Sequence, residues 1–200
     1  MAKTFEFLFD IGGANAYLAH KILPAYCAEH DAEAIYTPIL LGGVFKATGN
    51  SAPMIRYADA PAKWAYEQLE FQRFIAKNNI NGFRMNPHFP VNSLLAMRTI
   101  TGAVGSDAFL PTVDALMRGM WEEGVNLAQR DVLVEALGRA ELDGQALVAR
   151  ADDPEVKAAL VSQTENAVTR GMFGVPTFFV GEEMFWGKER LGQLAEALAS

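Results

Sequence analysis

Segments with the alternation typical of β-strands occur only near the two ends of the chain, and this distribution limits the folds open to it. Phe5, Phe7 and Phe9 alternate with other residues close to the N-terminus, which predicts a strand. Near the C-terminus, two short β-branched and aromatic runs flank Gly181-Glu182, which predicts a hairpin. The elements predicted at the two ends are, in chain order, a strand over 4–9, a helix over 15–29, a strand over 34–39, strands over 176–180 and 183–186, and a helix over 187–199.

The middle of the chain has a different pattern. From about Gly42 to Gly171, apolar residues recur at helical spacing and are interrupted by Gly, Pro and Asp/Asn, which predicts a series of helices. A β-α-β unit at one end and a β-β-α unit at the other are the arrangement of thioredoxin. The order therefore predicts an α/β protein with a thioredoxin-like fold and a large all-helical insertion. We expect 1–50 and 172–200 to form a discontinuous thioredoxin-like domain, and 51–171 to form the insertion domain.

Composition narrows the possible functions. The 200 residues carry a formal net charge of −7 without a basic run, which argues against a nucleic-acid partner. No apolar run approaches the roughly 20 residues of a membrane span, and the start of the chain is strand-like, unlike a signal peptide. Cys27 is the one cysteine, which favours a cytoplasmic location and excludes an enzyme dithiol. The three histidines are scattered, so no metal site is expected.

Two glycine-bearing turns lie where a thioredoxin-like fold would place its site. In Gly12-Gly13-Ala14-Asn15, Asn15 is a plausible N-cap, and free N–H groups at a helix start favour an anion. The alternative is a simple chain reversal. In the segment 174–177, a cis Val175–Pro176 bond would leave the N–H and C=O of Val175 to pair with an extended peptide. The alternative is a trans proline that begins an edge strand.

Two further segments hold polar groups near predicted turns. Asn50 follows Gly49 and could bind a carboxylate or amide, or it could belong to the C-cap of a short helix. Lys188 and Glu189 follow Gly187 at a predicted helix start. They could hold a zwitterionic end of a ligand, with Glu189 accepting an amine, or they could form a solvated first turn.

Four segments, taken in order, resemble one family. They are Phe9-Asp10 with Tyr17-Leu18-Ala19, the stretch 42–50, the stretch 89–94 with Arg98, and the stretch 171–177 with 185–191. Over nearly the whole chain, the sequence resembles the 2-hydroxychromene-2-carboxylate isomerases and kappa-class glutathione transferases, which belong to the DsbA-like thioredoxin superfamily. The resemblance implies glutathione as cofactor, a small-molecule electrophile or aromatic carboxylate as substrate, a role in aromatic catabolism, and a homodimer.

The same resemblance implies roles for individual residues. Val175, which precedes Pro176, matches the residue that pairs with the cysteinyl backbone of glutathione. Asn50 matches a glutathione-contacting asparagine. Lys188 and Glu189 match the pair that holds the γ-glutamyl end, where the family usually has Ser or Asn followed by Asp. In addition, Lys63 could assist with the glycyl carboxylate, and Phe45 and Trp186 could stack on the substrate.

The sequence departs from the family pattern at the position of the catalytic serine. The family reads Phe-Asp-x-x-Ser-Pro, whereas Gly13 and Ala14 occupy the serine and proline positions here. Half ionisation of a thiol at pH 7, from a pKa of about 8.5, requires about 2 kcal/mol. A hydrogen bond to a charged group supplies about 1.5–3 kcal/mol and a helix N-terminus roughly 0.3–1 kcal/mol. Without the hydroxyl, backbone N–H groups near Ala14 and Asn15, a water or the Asn15 amide must supply the rest.

Three functions are consistent with these residues. The leading prediction is a glutathione-dependent isomerase, in which thiolate adds reversibly to an unsaturated aromatic-derived acid. The second is a kappa-like glutathione transferase or peroxidase that consumes glutathione. The third, motivated by Gly13, is a glutathione-binding module without catalysis.

Overall fold

The computed structural model describes residues 3–199, in which four strands form one mixed sheet. The strand order is β2-β1-β3-β4, and only the β1–β2 pair is parallel. A parallel pair requires a crossover connection, and here that connection is a long helix. The strands are β1 (Lys3–Phe9), β2 (Ala32–Pro38), β3 (Thr177–Val180) and β4 (Glu183–Trp186).

Strand β1 lies between β2 and β3 and buries apolar side chains on both of its faces. Phe7 lies opposite Tyr36 on β2 and Phe178 on β3, and its ring stacks on that of Phe178 with centroids 5.4 Å apart. On the opposite face, Leu8 packs in a second buried cluster that includes Phe179. Burial on both faces fixes the register, because a shift of one residue would exchange the two sets of side chains.

Ten α-helices account for most of the described residues, and eight of them lie between β2 and β3 in the chain. The main buried cluster runs from the β-sheet into these helices, so sheet and helices share a core. Within residues 3–199, no helix is long and apolar enough to cross a bilayer. The helices are α1 (Ala14–His30), α2 (Leu41–Thr48), α3 (Pro53–Arg56), α4 (Pro61–Lys77), α5 (Leu94–Ala103), α6 (Phe109–Arg118), α7 (Arg130–Gly138), α8 (Gly144–Arg150), α9 (Pro154–Thr169) and α10 (Leu191–Ala199).

The thioredoxin-like arrangement predicted from the sequence is confirmed, with local differences. Helix α6 ends at Arg118, and the chain continues as a π-helical turn over Gly119–Glu123. This turn is pinned from outside the helix, because Trp121 donates through Nε1 to the Ile11 carbonyl and accepts at its own carbonyl from the Arg84 N–H. A short 3₁₀ turn, Lys188–Arg190, precedes the last helix.

Candidate functional site

The turn between β1 and α1 is organised by the carboxylate of Asp10, which is fully buried. One carboxylate oxygen accepts the N–H of Gly12 at 2.8 Å. The other accepts the N–H of Leu41 at 2.8 Å and the hydroxyl of Ser93 at 2.9 Å. A single side chain thus connects the start of α1, the start of α2 and the segment that leads into α5.

Burial of Asp10 raises the pKa of its carboxyl, and the hydrogen bonds from Leu41, Gly12 and Ser93 act in the opposite direction. The three donors compensate part of the cost of removing a charge from water. The role of Asp10 was not predicted from the sequence, where it stands only within the Phe9-Asp10 motif. The signal that could have identified it is an acidic residue between an apolar strand and a glycine pair, because such a residue is rarely buried without donors.

The first turn of α1 has no side-chain cap. Gly13 is the N-cap residue, with extended φ and ψ of −94° and 106°, and it offers no side-chain acceptor. The prediction of Asn15 as the N-cap is therefore wrong, because the helix begins one residue before it, at Ala14. The N–H groups of Ala14 and Asn15 are the first two of the helix, and they have no intrahelical carbonyl within reach. They carry the positive end of the helix dipole, which favours an anion.

The side chain of Asn15 adds a second free group at this helix end. Its Oδ1 atom is buried and has no hydrogen-bond partner within residues 3–199. A buried polar atom without a partner costs about 1–3 kcal/mol. Such an atom beside two free N–H groups indicates a place where a polar ligand would complete the hydrogen bonding.

The loop before β3 packs directly against Gly13. The Val175–Pro176 peptide bond is cis, and a Cβ atom added at Gly13 would lie 2.5 Å from Cγ2 of Val175. Val175 makes no backbone hydrogen bond to another described residue. The structure therefore brings together the two turns that the sequence singled out, and it leaves polar backbone groups free at both of them. A methyl group of Val175 fills the space that a serine side chain would need.

Asn50 and Trp186 flank this proline loop on the sides of α2 and β4. The Asn50 amide donates to the Phe173 carbonyl at 2.7 Å and accepts from the Arg56 guanidinium. The indole of Trp186 packs on the Phe173 ring, with centroids 4.9 Å apart. A Cβ at Gly174 would lie only 2.9 Å from the indole nitrogen of Trp186, so a larger residue there would have to displace the indole. Trp186 remains half exposed beside the loop.

Lys188 and Glu189 also lie close to the proline loop, because the N–H of Gly187 donates to the Pro176 carbonyl at 2.9 Å. Lys188 is buried, with 4% of its surface exposed. Its ammonium donates to the Glu189 carboxylate and lies 5.0 Å from the centre of the Phe74 ring. The two side chains thus neutralise each other. They lie in a 3₁₀ turn, whereas the sequence analysis placed them at the start of the final helix.

Two other residues predicted for the site, Lys63 and Phe45, make no hydrogen bond or ring contact with this group among the described residues. The ammonium of Lys63 lies 4.3 Å from the centre of the Tyr57 ring, at the start of α4. Phe45 is half-buried on α2 and has no aromatic neighbour among the described residues. The group that the structure does assemble around the proline loop is Gly13, Ala14, Asn15, Asn50, Val175, Pro176, Trp186, Lys188 and Glu189.

The cysteine of this chain lies far from the site. Cys27 is 13 positions beyond Ala14 on the same helix, which corresponds to about 20 Å along the axis. Burial raises the pKa of its thiol, which disfavours the reactive thiolate. Any sulfur that uses the free N–H groups of α1 must come from a ligand. Within residues 3–199, no cluster of three His, Cys, Asp or Glu side chains could hold a metal.

Comparison with known proteins gives consistent results. The DSBA-like thioredoxin domain matches residues 4–199. A 2-hydroxychromene-2-carboxylate isomerase of Pseudomonas putida is 30% identical over 96% of this chain and 93% of its own length. Glutathione S-transferase kappa 1 of Homo sapiens is 23% identical over 99% of this chain and 92% of its own. A solved structure of a 2-hydroxychromene-2-carboxylate isomerase superposes with a TM-score of 0.83 at 25% identity, covering 98% of this chain and 94% of the other.

Proposed function

The chain belongs to the family of DSBA-like thioredoxin domains that includes the 2-hydroxychromene-2-carboxylate isomerases and kappa-class glutathione transferases, and on this premise we propose that it is a glutathione-dependent isomerase. Its substrate would be an unsaturated aromatic-derived carboxylate. The observation that carries the proposal is the contact between two sets of unpaired backbone groups. The uncapped start of α1 lies against the Val175 loop, so a thiol peptide can be bound at its sulfur and its backbone together.

Each part of the site has a separate task in binding glutathione. The N–H groups of Ala14 and Asn15 would donate to an anionic sulfur, and the free Asn15 Oδ1 would accept a hydrogen bond from the ligand. The N–H and C=O of Val175 pair with an extended peptide in the manner of strand addition. Asn50 and the pair Lys188–Glu189 lie farther along the loop, where they would contact the ends of the tripeptide.

Bound glutathione would supply a thiolate nucleophile for reversible addition to an activated double bond; the attacked bond would become a single bond that can rotate, and it would re-form as a double bond on expulsion of the thiolate. The residues of this chain contribute by orientation and electrostatics. The positive end of α1 stabilises negative charge near Ala14. The half-exposed indole of Trp186 offers an aromatic face beside the loop, on which a planar substrate can stack. Asp10 keeps the start of α1 in place through Gly12.

Gly13 favours a second candidate, a module that binds glutathione without efficient catalysis. Position 13 has no hydroxyl, and Val175 occupies the space where one would lie. The stabilisation of a thiolate then depends on the helix end, which supplies roughly 0.3–1 kcal/mol, whereas a hydroxyl supplies about 1.5–3 kcal/mol. This arrangement retains the groups that bind glutathione but stabilises its thiolate less. A kappa-like transferase would use the same binding groups but would consume glutathione.

The deciding experiment follows the conversion of 2-hydroxychromene-2-carboxylate with and without glutathione across a range of pH. An isomerase gives glutathione-dependent conversion with glutathione recovered unchanged. Conversion of an electrophile with stoichiometric loss of glutathione would assign a transferase instead. Glutathione binding by calorimetry without turnover on a broad panel of electrophiles would assign the binding module. Absence of glutathione binding would refute all three.

A further inference from the structure

A second cavity, separate from the candidate glutathione site, lies where α2, α5 and α9 meet. Its volume is about 500 Å³, which is within the range of sites for small organic molecules. It contains none of the residues assembled around the proline loop. Two segments of the family resemblance, 42–50 and 89–94 with Arg98, contribute to its wall, yet the proposed function leaves Lys46 and Arg98 without a role.

The wall between the charged residues of the cavity is apolar, and its hydroxyl groups are already paired. Leu40, Leu94 and Leu160 are among the aliphatic residues that line it. The hydroxyl of Thr164 donates to the Leu160 carbonyl at 2.7 Å and accepts the N–H of Leu40 at 3.0 Å. Similarly, Thr169 donates to the Glu165 carbonyl. The walls therefore fit an apolar body and offer it no further hydrogen bonds.

The charged residues of the cavity are mostly cationic. Lys46, Arg98 and Lys157 line it, against one carboxylate, Glu165. The side chains of Lys46 and Arg98 make no hydrogen bond or salt bridge within residues 3–199. The Lys157 ammonium has one long salt bridge, in which its Nζ atom lies 3.9 Å from Oδ1 of Asp152. A chain with a net charge of −7 thus gathers three cations around an apolar space, two of them without a partner. This charge pattern complements an anion.

The cavity remains open because small residues face each other where α2 crosses α9. Gly43 allows close approach, since a Cβ there would lie 3.2 Å from the Thr164 methyl. Ala47, one helical turn later, and Val161 on α9 keep the adjacent space free. The cavity is thus a product of backbone packing, and larger side chains at 47 or 161 would fill it.

We propose that this cavity binds an organic carboxylate with an apolar body, held by Lys46 and Arg98 with its body between α2 and α9. The proposal does not depend on the function of the glutathione site. Isothermal titration with 1-naphthoate, octanoate and the neutral 1-naphthylmethanol tests it on the full chain. We expect a carboxylate dissociation constant below about 1 mM, and at least about tenfold weaker binding of the neutral analogue. The naphthoate and octanoate arms distinguish an aromatic from an aliphatic body.

Variants locate the binding. Lys46→Gln with Arg98→Gln should weaken naphthoate binding about tenfold or more, and Val161→Trp should abolish it by filling the cavity. Lys77→Glu and Val104→Trp, at exposed positions outside the cavity, are the matched controls and should change little. Lys46 and Val161 are themselves exposed, so these variants should fold, which circular dichroism checks.

Three outcomes would overturn the proposal. The first is equal affinity for the carboxylate and the alcohol. The second is displacement of naphthoate by saturating glutathione, because the two sites share no residue and affinity should change less than about twofold. The third is a wild-type protein that binds no carboxylate and self-associates in sedimentation, with Val161→Trp abolishing the association. That result would assign the cavity to a second copy of the chain.

Discussion

The two ends of the candidate glutathione site differ in how far their polar groups are already paired. At the sulfur end, formed by Gly13, Ala14, Asn15 and Val175, backbone N–H groups and the Asn15 Oδ1 are free. At the γ-glutamyl end, formed by Lys188 and Glu189, the two charges bind each other. A site can thus keep the backbone arrangement of its family although its side chains leave different numbers of unpaired polar groups at its two ends.

The framework of the sulfur end depends on one carboxylate, and its removal should have the largest effect. Asp10→Ala leaves two N–H groups and the Ser93 hydroxyl without their acceptor in a buried place. Each buried group left unpaired costs about 1–3 kcal/mol, and water that enters the space relieves part of this cost. We therefore expect the free energy of unfolding to fall by about 3–5 kcal/mol. Urea denaturation measures it.

Ser93→Ala is the control for Asp10, because it removes one donor and keeps the carboxylate with its two N–H partners. It should cost about 1 kcal/mol. If Asp10→Ala cost no more than Ser93→Ala, the sulfur end would be held by something other than Asp10, and the two ends would no longer differ in their support.

Restoration of the missing hydroxyl at the sulfur end requires the Val175 side chain to move or to be shortened. A serine Cβ at position 13 would lie 2.5 Å from Val175 Cγ2, so Gly13→Ser alone forces this methyl group to move. In Gly13→Ser with Val175→Ala the space is free. A hydroxyl that donates to the thiolate should then lower the pKa of bound glutathione by about one and raise its ionised fraction at pH 7 by up to about tenfold.

The ultraviolet absorbance of the glutathione thiolate, followed against pH, measures this change. Val175→Ala alone is the matched control and should leave the ionised fraction as it is in the wild type. If Gly13→Ser reached the full gain without the second change, Val175 would not limit the sulfur end. If the double variant gained nothing, the sulfur would lie elsewhere than beside position 13.

The sequence was sufficient to bring together the two turns of the sulfur end but not to predict how the polar groups of either end are paired. Alternating Phe5, Phe7 and Phe9 identified the central strand, and the Gly and Pro residues identified the two turns that meet at Gly13 and Val175. Both signals are local and follow from backbone preferences. Because thioredoxin-like topology brings such turns together, their proximity could be inferred from the order of elements.

The contacts that could not be predicted from the sequence join residues that are distant in the chain. The role of Asp10 requires Leu41 and Ser93, which no local pattern connects to it. The buried position of the Lys188 ammonium likewise requires the rings of Phe71 and Phe74 on α4. Such contacts are decided by packing in three dimensions, and a single sequence does not encode them in a readable spacing.

The γ-glutamyl end provides the prediction with the smallest effect. Glu189 can accept the ammonium of a γ-glutamyl group only in competition with Lys188, which already occupies its carboxylate. Lys188→Met keeps an unbranched apolar stem against Phe74 and frees Glu189. Because the Glu189 side chain is 53% exposed, the new ion pair is worth at most about 1 kcal/mol, so glutathione should bind about two- to fivefold more tightly.

Calorimetric titration of Lys188→Met, Glu189→Gln and the double variant completes the comparison as a double-mutant cycle. Glu189→Gln in the Lys188→Met background should remove the gain, because the freed carboxylate is its source. Weaker binding by Lys188→Met would instead mean that the ammonium itself binds a carboxylate of glutathione. Lys188 would then turn from Glu189 to the ligand, and the γ-glutamyl end would be as available as the sulfur end.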